Sequence, residues 1–585
     1  MTTSATTGPG VTARTREGWA AAAGITAVGT AVVLGEIAAT LISPSVSPMT
    51  AVGGAVIDAV PPGVKDWAVS LFGTGDKVAL LAGMALVIAG LAALAGVVEA
   101  RRRFAGVALI AVFGLAGVAA VLGRAAATAY APAVPVAVAL AAMLLLRWLL
   151  RRLQDWAPEN WAQETDAARA PDARAPVADQ GEWAGPNRPD LPAGHEPAGH
   201  EPAEHGYAGN GQPMPPARPA AALPPAAAPP ARRRFVQALG GTAVAGALGG
   251  VLAGTLRGSA AAVTEGRSKL VLPAAKSPAP AIPAGASIAL DGLEPLVTPN
   301  ADFYRIDTAL RVPLIDPDKW TLKVTGLVDR EIELDFAALL AKPMTERHVT
   351  IACVSNQVGG DLIGNARWLG WPVRELLAMA GPKPGADMVL SRSTDGWTAG
   401  TPLEALTDSR DAMLAVGMNG EPLPLEHGFP ARLIVPGLYG YVSATKWVTE
   451  LKVTRFADDK GYWTPRGWSE RGPIKISSRI DVPRNGARPG AGTVVFGGTA
   501  WAQPTGVGAV DLRIDGGPWR SVELAPGISK DTWYQWKLGA VLGPGQHEVQ
   551  VRATDLNGVV QVEGHAPVAP DGATGYHTIR VDVKS

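Results

Sequence analysis

The chain has 585 residues and one cysteine, Cys353. It closes the run His348-Val-Thr-Ile-Ala-Cys353 and is followed by Val354, Ser355 and Asn356. The β-branched run reads as a strand and Ser355-Asn356 as a turn, so the thiol stands at a strand end, where loops carry function. Thiolate is a soft ligand suited to a soft or high-valent metal. The same region supplies Arg305, Arg367, His427, Arg432 and Lys446. Guanidinium forks grip phosphate-like anions with two parallel bonds, and lysine acts as a point charge. Sulfur for a metal and cations for an anion are thus available together. Two plainer readings stand beside this one: a lone cysteine is often a small buried apolar side chain, and most arginines and lysines are surface charges.

The same inventory excludes several classes. One cysteine rules out a disulfide framework, a multi-cysteine zinc or iron–sulfur site and a CxxCH haem attachment. Lys plus Arg and Asp plus Glu number 52 each, which gives no global electrostatic case for nucleic acid as a partner. The histidines are 195, 200, 205, 348, 427, 547, 565 and 577, so the first 150 residues cannot supply a bis-histidine haem. His195, His200 and His205 repeat every five residues inside a Pro- and Ala-rich stretch, 151–231. Metal binding there is conceivable, but proline this dense with few apolar side chains reads as a disordered, solvated linker.

Several short elements must position these groups. Trp320–Gly326 alternates as a half-buried strand, Pro372–Ala380 reads as a helix, and Ala431–Val435 and Lys446–Thr454 as strands. Strands and helices mixed without regular alternation point to an α+β domain over 286–474. From 475 to 585 short strands recur with glycine turns, as in a β-sandwich. Asp515-Gly516-Gly517 is read there as a hairpin turn between strands at 509–514 and 522–524.

Five sequence blocks then become specific as a set: WTLKVTGLV, IACVSN, NARWLGWPVRELL, MNGEPLPLEHGFPARLIVPGLYG and TKWVTELKV, in that order over about 300–455. They resemble the molybdopterin-binding domain of the sulfite oxidase family, and 475–585 resembles that family's immunoglobulin-like dimerisation domain. The resemblance implies a molybdenum–pterin cofactor with Cys353 as the protein thiolate on the metal. It also implies Asn356 and Arg367 in blocks lining the cofactor, His427, Arg432 and Lys446 on its phosphate and pterin, and Arg305 as an active-site or cofactor contact. Cys353, Arg305 and Asn356 are the expected catalytic residues. A small-molecule substrate, a separate electron carrier, no haem, and subunit pairing through the C-terminal domain follow from the same source. The chain departs from the pattern at Gln357-Val358, where sulfite-oxidising members carry arginines, and at Trp397, where a tyrosine is expected. Sulfite oxidation and reduction of a sulfoxide or N-oxide both remain open. A non-catalytic membrane-tethered binding or assembly protein on the same scaffold is the rival from another class, and a transporter or receptor is a third.

The N-terminal part is apolar. Stretches at about 18–41, 78–98, 104–123 and 132–149 are each near the roughly 20 residues that cross a bilayer, which makes 1–150 a four-helix transmembrane unit. A weaker stretch, 232–258, reads as a fifth span or a twin-arginine-like segment, with Ala260-Ala261-Ala262 a weak cleavage candidate, and 259–285 as a further linker. Residues 49–64, with Asp58 and Pro61-Pro62, read as a surface or re-entrant piece. Arginine clusters at 14–16, 101–103, 147–152 and 232–234 fall on one side if the N-terminus is cytoplasmic. The expectation is a multi-pass plasma-membrane protein with its C-terminal domains outside the cytoplasm. Gly246, Gly250 and Gly254 suggest a flat packing face on the fifth helix. Glu36, the one acidic residue well inside a span, reads as a functional candidate or as a wetted group near the outer end.

Overall fold

The computed structural model describes residues 13–42, 47–59, 76–122, 131–156, 230–256 and 259–585. The histidine-bearing stretch and residues 60–75 and 123–130 lie outside these. The helical unit contains α1 (Ala13–Ile42), α2 (Pro48–Ala59), α3 (Asp76–Arg101), α4 (Ala105–Leu122), α5 (Ala133–Trp156) and α6 (Pro230–Leu256). Four are long and apolar enough to cross a membrane, over Thr15–Ala39, Ala79–Arg101, Ala105–Leu122 and Ala133–Trp156. Leu86, Leu115 and Leu144 point outward, 75%, 69% and 70% exposed. Small residues let α1 and α3 touch: a Cβ on Gly24 would sit 2.0 Å from the carbonyl oxygen of Ala92. Of residues 49–64, those up to Ala59 fall in the 12-residue α2, too short to span; the rest, with Pro61-Pro62, lie outside the described residues.

Helix α6 is not among the four spanning candidates. It packs on α1, where Thr30 Oγ1 donates to Thr242 O at 3.2 Å, and its Phe235 is buried against Trp19 and Trp156. Its contact face is not the expected glycine stripe. Gly246 meets Thr30 and Gly249 meets Val33, while a Cβ on Gly250 would have nothing within 4 Å. Helical period places residues three apart on one side as readily as residues four apart.

The stretch 259–285 is no free linker. Helix α7 (Ser259–Lys269) follows α6 after two residues. Its Arg267 donates through Nε to Leu423 O and through Nη2 to Pro422 O, both at 2.7 Å. Ser277 then bridges Thr345 in parallel, and Lys276 N donates to Met344 O at 2.8 Å.

The central domain contains β1 (Thr321–Gly326), β2 (Ile332–Asp335), β3 (Thr345–Ala352), β4 (Ile363–Pro372), β5 (Met388–Ser393) and β6 (Thr398–Pro402). It continues with β7 (Met413–Met418), β8 (Glu421–Pro422), β9 (Arg432–Ile434) and β10 (Val448–Thr454). One sheet runs β2-β1-β10-β5-β6, with β1 and β10 parallel; the other runs β3-β4-β7-β8, with β9 beside β7. Short helices such as Val373–Ala380 fill the joins, as the α+β reading requires.

The last region forms two four-stranded sheets around one apolar core. Their strands are β11 (Ser477–Val482), β12 (Gly492–Trp501), β13 (Val507–Ile514), β14 (Arg520–Ser521), β15 (Glu523–Leu524), β16 (Tyr534–Leu542), β17 (Gly545–Asp555) and β18 (His577–Val583). Asp515 and Gly516, both at positive φ, do turn the chain. The returning strand then splits: β14 pairs with β13, whereas β15 crosses to β16 in the other sheet. The hairpin is therefore closed by Arg520, Ser521 and Val522, whose N donates to Val510 O at 3.1 Å, before Glu523 and Leu524 leave it.

Candidate cofactor site

Strand β3 delivers the thiol. Side chains alternate along a strand, so Val349, Ile351 and Cys353 face one way and His348, Thr350 and Ala352 the other. Val349 and Ile351 bury against Phe303, Trp368 and Phe429. Cys353 N donates to Leu362 O at 2.9 Å, and Asn356 N donates to Cys353 O at 3.1 Å. The Ser355 N–H points at the sulfur, 3.4 Å away; a donor there favours the thiolate over the thiol. Among the described residues no three His, Cys, Asp or Glu side chains converge as metal ligands. A metal bound by Cys353 would need most of its donors from a cofactor.

The cations sit on the same side of the domain. Arg432, on β9, is buried; its Nη1 donates to His427 O at 3.0 Å and its Nη2 to Ala444 O at 3.3 Å. Lys446 Nζ donates to Glu426 O and to Asp307 Oδ2, each at 2.9 Å. Arg305 Nε donates to the same Asp307 oxygen at 3.0 Å. One buried and one partly exposed cation therefore pair with the Asp307 carboxylate, and buried Arg432 feels it only through space. A buried charge without full compensation costs several kcal/mol. The consequence is visible in their acidity. Burial, set against Asp307, lowers Lys446 to about 8, and burial lowers Arg432 to about 10. Burial first, then Lys446 and Arg432, pulls His427 down to about 3. His427 Nε2 lies 3.2 Å from Asn300 O, while its buried Nδ1 has no hydrogen-bond partner among the described residues. Surplus buried cation together with an orphaned ring nitrogen is what an anionic, hydrogen-bonding group would complete. The residues present fit a phosphate-bearing cofactor.

Tyr304 links the two halves of the site. It is half-buried, stacked on Phe303 with ring centroids 5.3 Å apart. Its phenol is pushed up by burial and by Cys353 and drawn down by Arg432, so it lies within electrostatic reach of both. Sequence reasoning missed Tyr304 and Asp307. Their signal was their place beside Arg305 in Phe303-Tyr304-Arg305-Ile306-Asp307.

Two expected residues stand apart. Arg367 pairs with His348 across β3 and β4, so it faces away from Cys353, and its Nε meets Glu346 Oε1 at 3.3 Å. The structure does not bring it to the cationic set; one strand step decides the face. Asn356 stays beside the thiol, but its Oδ1 accepts from Leu362 N at 2.9 Å and so closes the loop.

The C-terminal domain braces that loop. Arg479 Nη1 donates to Gly360 O at 2.9 Å while Asp481 holds its Nε, and His577 packs on Gly359. Burial raises Asp481 to about 6 against the pull of Arg479. Thr350 Oγ1 accepts from Trp533 N at 2.8 Å, and Gln503 Nε2 donates to Thr350 O at 2.8 Å. Gln357 and Val358 adjoin Tyr439, Trp501 and Ala573 around a water-sized void of about 10 Å³.

Residues 309–463 match the family described as the oxidoreductase molybdopterin binding domain. Human mitochondrial sulfite oxidase is 30% identical over 325 residues, 47% of this chain and 59% of the human protein. The chain thus spans well under two thirds of that relative. The oxidoreductase YuiH of Bacillus subtilis is 36% identical over 157 residues, 27% of this chain and 76% of its own. A rice NADH nitrate reductase is 33% identical over 193 residues, 28% of this chain and 21% of its own. With the sulfur, the cationic set and these relatives in agreement, the chain belongs to the sulfite oxidase family of molybdopterin-binding oxidoreductases.

Proposed function

We propose that the protein is a membrane-anchored molybdenum–pterin oxidoreductase, held by its N-terminal helices with the central domain outside the cytoplasm. It moves an oxygen atom to or from a small substrate in a two-electron reaction, and exchanges electrons with a separate carrier. The observation that carries this is the surplus of buried cation beside a lone strand-end thiol. The bound cofactor supplies the two-electron redox couple and the oxygen-transfer chemistry. Cys353 contributes the sulfur ligand, toward which the Ser355 N–H points. Arg432, Lys446 and His427 grip the phosphate, and Asp307 aligns Arg305 and Lys446. Tyr304 stays protonated and lies within electrostatic reach of both the sulfur and Arg432. Arg479 positions the loop that follows the thiol.

The arginine clusters at 14–16, 101–103, 147–152 and 232–234 support the orientation. The outward apolar faces of the first helices support the anchoring. The two-sheet C-terminal region is read as immunoglobulin-like and as the surface for subunit pairing.

Substrate direction turns on Gln357-Val358. A named relative oxidises sulfite, an anion that a cation near the metal would attract. Uncharged residues here favour a second reading, reduction of a neutral oxygen donor such as a sulfoxide or N-oxide. The full chain, purified in detergent and loaded with molybdenum, decides between them. Sulfite with an artificial electron acceptor tests one; dimethyl sulfoxide and trimethylamine N-oxide with a reduced viologen test the other. Turnover in either arm supports the enzyme reading. A cofactor-loaded protein inert in both would favour a binding or assembly role.

A further inference from the structure

On the reverse side of the β3–β4 hairpin lies an open groove of about 350 Å³. Its walls include Pro280, Ile282, Val297, Glu346, His348 and Arg367. The β-strand alternation that aims Cys353 into the cofactor site aims His348 and Arg367 here. We infer that this groove is a second binding site, for a small organic carboxylate. The charged end meets Arg367 and His348, and the apolar part lies on Pro280, Ile282 and Val297.

The polar groups decide the sign of the ligand. Glu346 is occupied: Oε1 meets Arg367 Nε at 3.3 Å and Oε2 faces Ala279 N at 3.4 Å. The two terminal nitrogens of Arg367 have no hydrogen-bond partner among the described residues, and the side chain is 40% exposed. His348 is 93% buried and its Nδ1 is sealed from water without a partner. Orphaned buried N–H groups are rarer than orphaned acceptors. The favoured tautomer therefore leaves Nδ1 bare and carries its proton on Nε2. Burial and Arg367 hold the ring neutral, so it offers a donor without adding charge. The open groups are thus donors: a guanidinium fork and an imidazole N–H. That set with an apolar wall suits a carboxylate bearing a short hydrocarbon.

The groove is also wired to the cofactor side. Asn419 Oδ1 accepts from Arg367 N at 2.9 Å, and its Nδ2 donates to Asn300 Oδ1 at 2.8 Å. Asn300 O in turn faces His427 Nε2. A ligand that moves Arg367 is two side chains from the phosphate grip.

The test is calorimetric titration of the molybdenum-loaded full chain in detergent, with hexanoate against hexanamide. Saturable hexanoate binding is expected, with hexanamide weaker by roughly tenfold or more. Arg367→Gln should weaken hexanoate by a similar factor while molybdenum and pterin content stay at the wild-type level, and Arg367→Lys should retain part of the affinity. Equal binding of the two probes, no saturable hexanoate binding, or wild-type affinity in Arg367→Gln overturns the inference. So does loss of cofactor in a folded Arg367→Gln protein, which would return Arg367 to the cofactor site. The cofactor content of the wild type reports separately on the proposed function.

Discussion

The two faces of one hairpin, β3 with β4, carry similar residue types to different ends. On the Cys353 side, buried Lys446 shares Asp307 with Arg305, and buried Arg432 hydrogen-bonds only to backbone carbonyls among the described residues. On the reverse side, Arg367 has its own carboxylate, Glu346, and an open flank to water. The lesson is that counter-charge and burial, rather than residue type, decide which side depends on an anion. A surplus of buried cation is costly until something anionic arrives, whereas a half-exposed ion pair contributes about 0–1 kcal/mol and stands whether or not a ligand covers its open flank.

The comparison can be pressed hardest at the sulfur. Cys353→Ser should drop steady-state turnover to the level of cofactor-free protein, because no other thiol exists in the chain. Next, Arg432→Met should weaken cofactor retention by about 2–5 kcal/mol, read as pterin and molybdenum lost on dialysis. In cofactor-free protein the same change should raise the melting temperature by a few degrees, because an undercompensated buried charge has been removed. Arg367→Met should do neither; opposite signs on one face and silence on the other are the signature sought.

A smaller effect is expected from pH. In cofactor-free protein Lys446 titrates near 8, against 10.5 when free. Between those values the unfolded chain binds the extra proton, so stability rises with pH across that window. Cofactor binding or Lys446→Met should flatten the rise, as followed by chemical denaturation. His577, lowered from 6.5 to about 4 by burial and then by Arg479, behaves alike in acid: stability is lost as pH falls from 6.5 toward 4. That loss should persist in Lys446→Met, since it belongs to the C-terminal brace. Smallest of all, Arg311→Gln removes the 3.3 Å pair between Arg311 Nη1 and Glu36 Oε2, in which Arg311 is 44% exposed. Glu36 keeps its bonds from Ser47 Oγ and Met49 N, so unfolding should shift by about 1 kcal/mol.

Much of this was legible in the residues alone. The strand ending at Gly326, the strand leading to Cys353, the helix near 373–380 and four apolar spans are local patterns, and local physics places them. The cations at 305, 427, 432 and 446 were legible as a set. Their shortage of counter-charge was not, because Asp307 joins Lys446 only through folding, 139 residues apart in sequence. Arg367 reads with them in the sequence yet lies on the other face, because strand alternation fixes its side only once the register of β3 and β4 is known. Trp533 reads as part of a strand but buries in the central domain, donating its Nε1–H to Leu296 O at 2.8 Å. Glu36, left open as functional or wetted, is buried and accepts from Ser47 Oγ at 2.7 Å and Met49 N at 3.0 Å. It caps the start of α2, a role no window of sequence around residue 36 displays.

The central claim is a bond between Cys353 and molybdenum. X-ray absorption at the molybdenum edge, on wild type and Cys353→Ser loaded to equal pterin content, measures it directly. One sulfur neighbour fewer in the variant is the predicted result. An unchanged sulfur count would contradict the account.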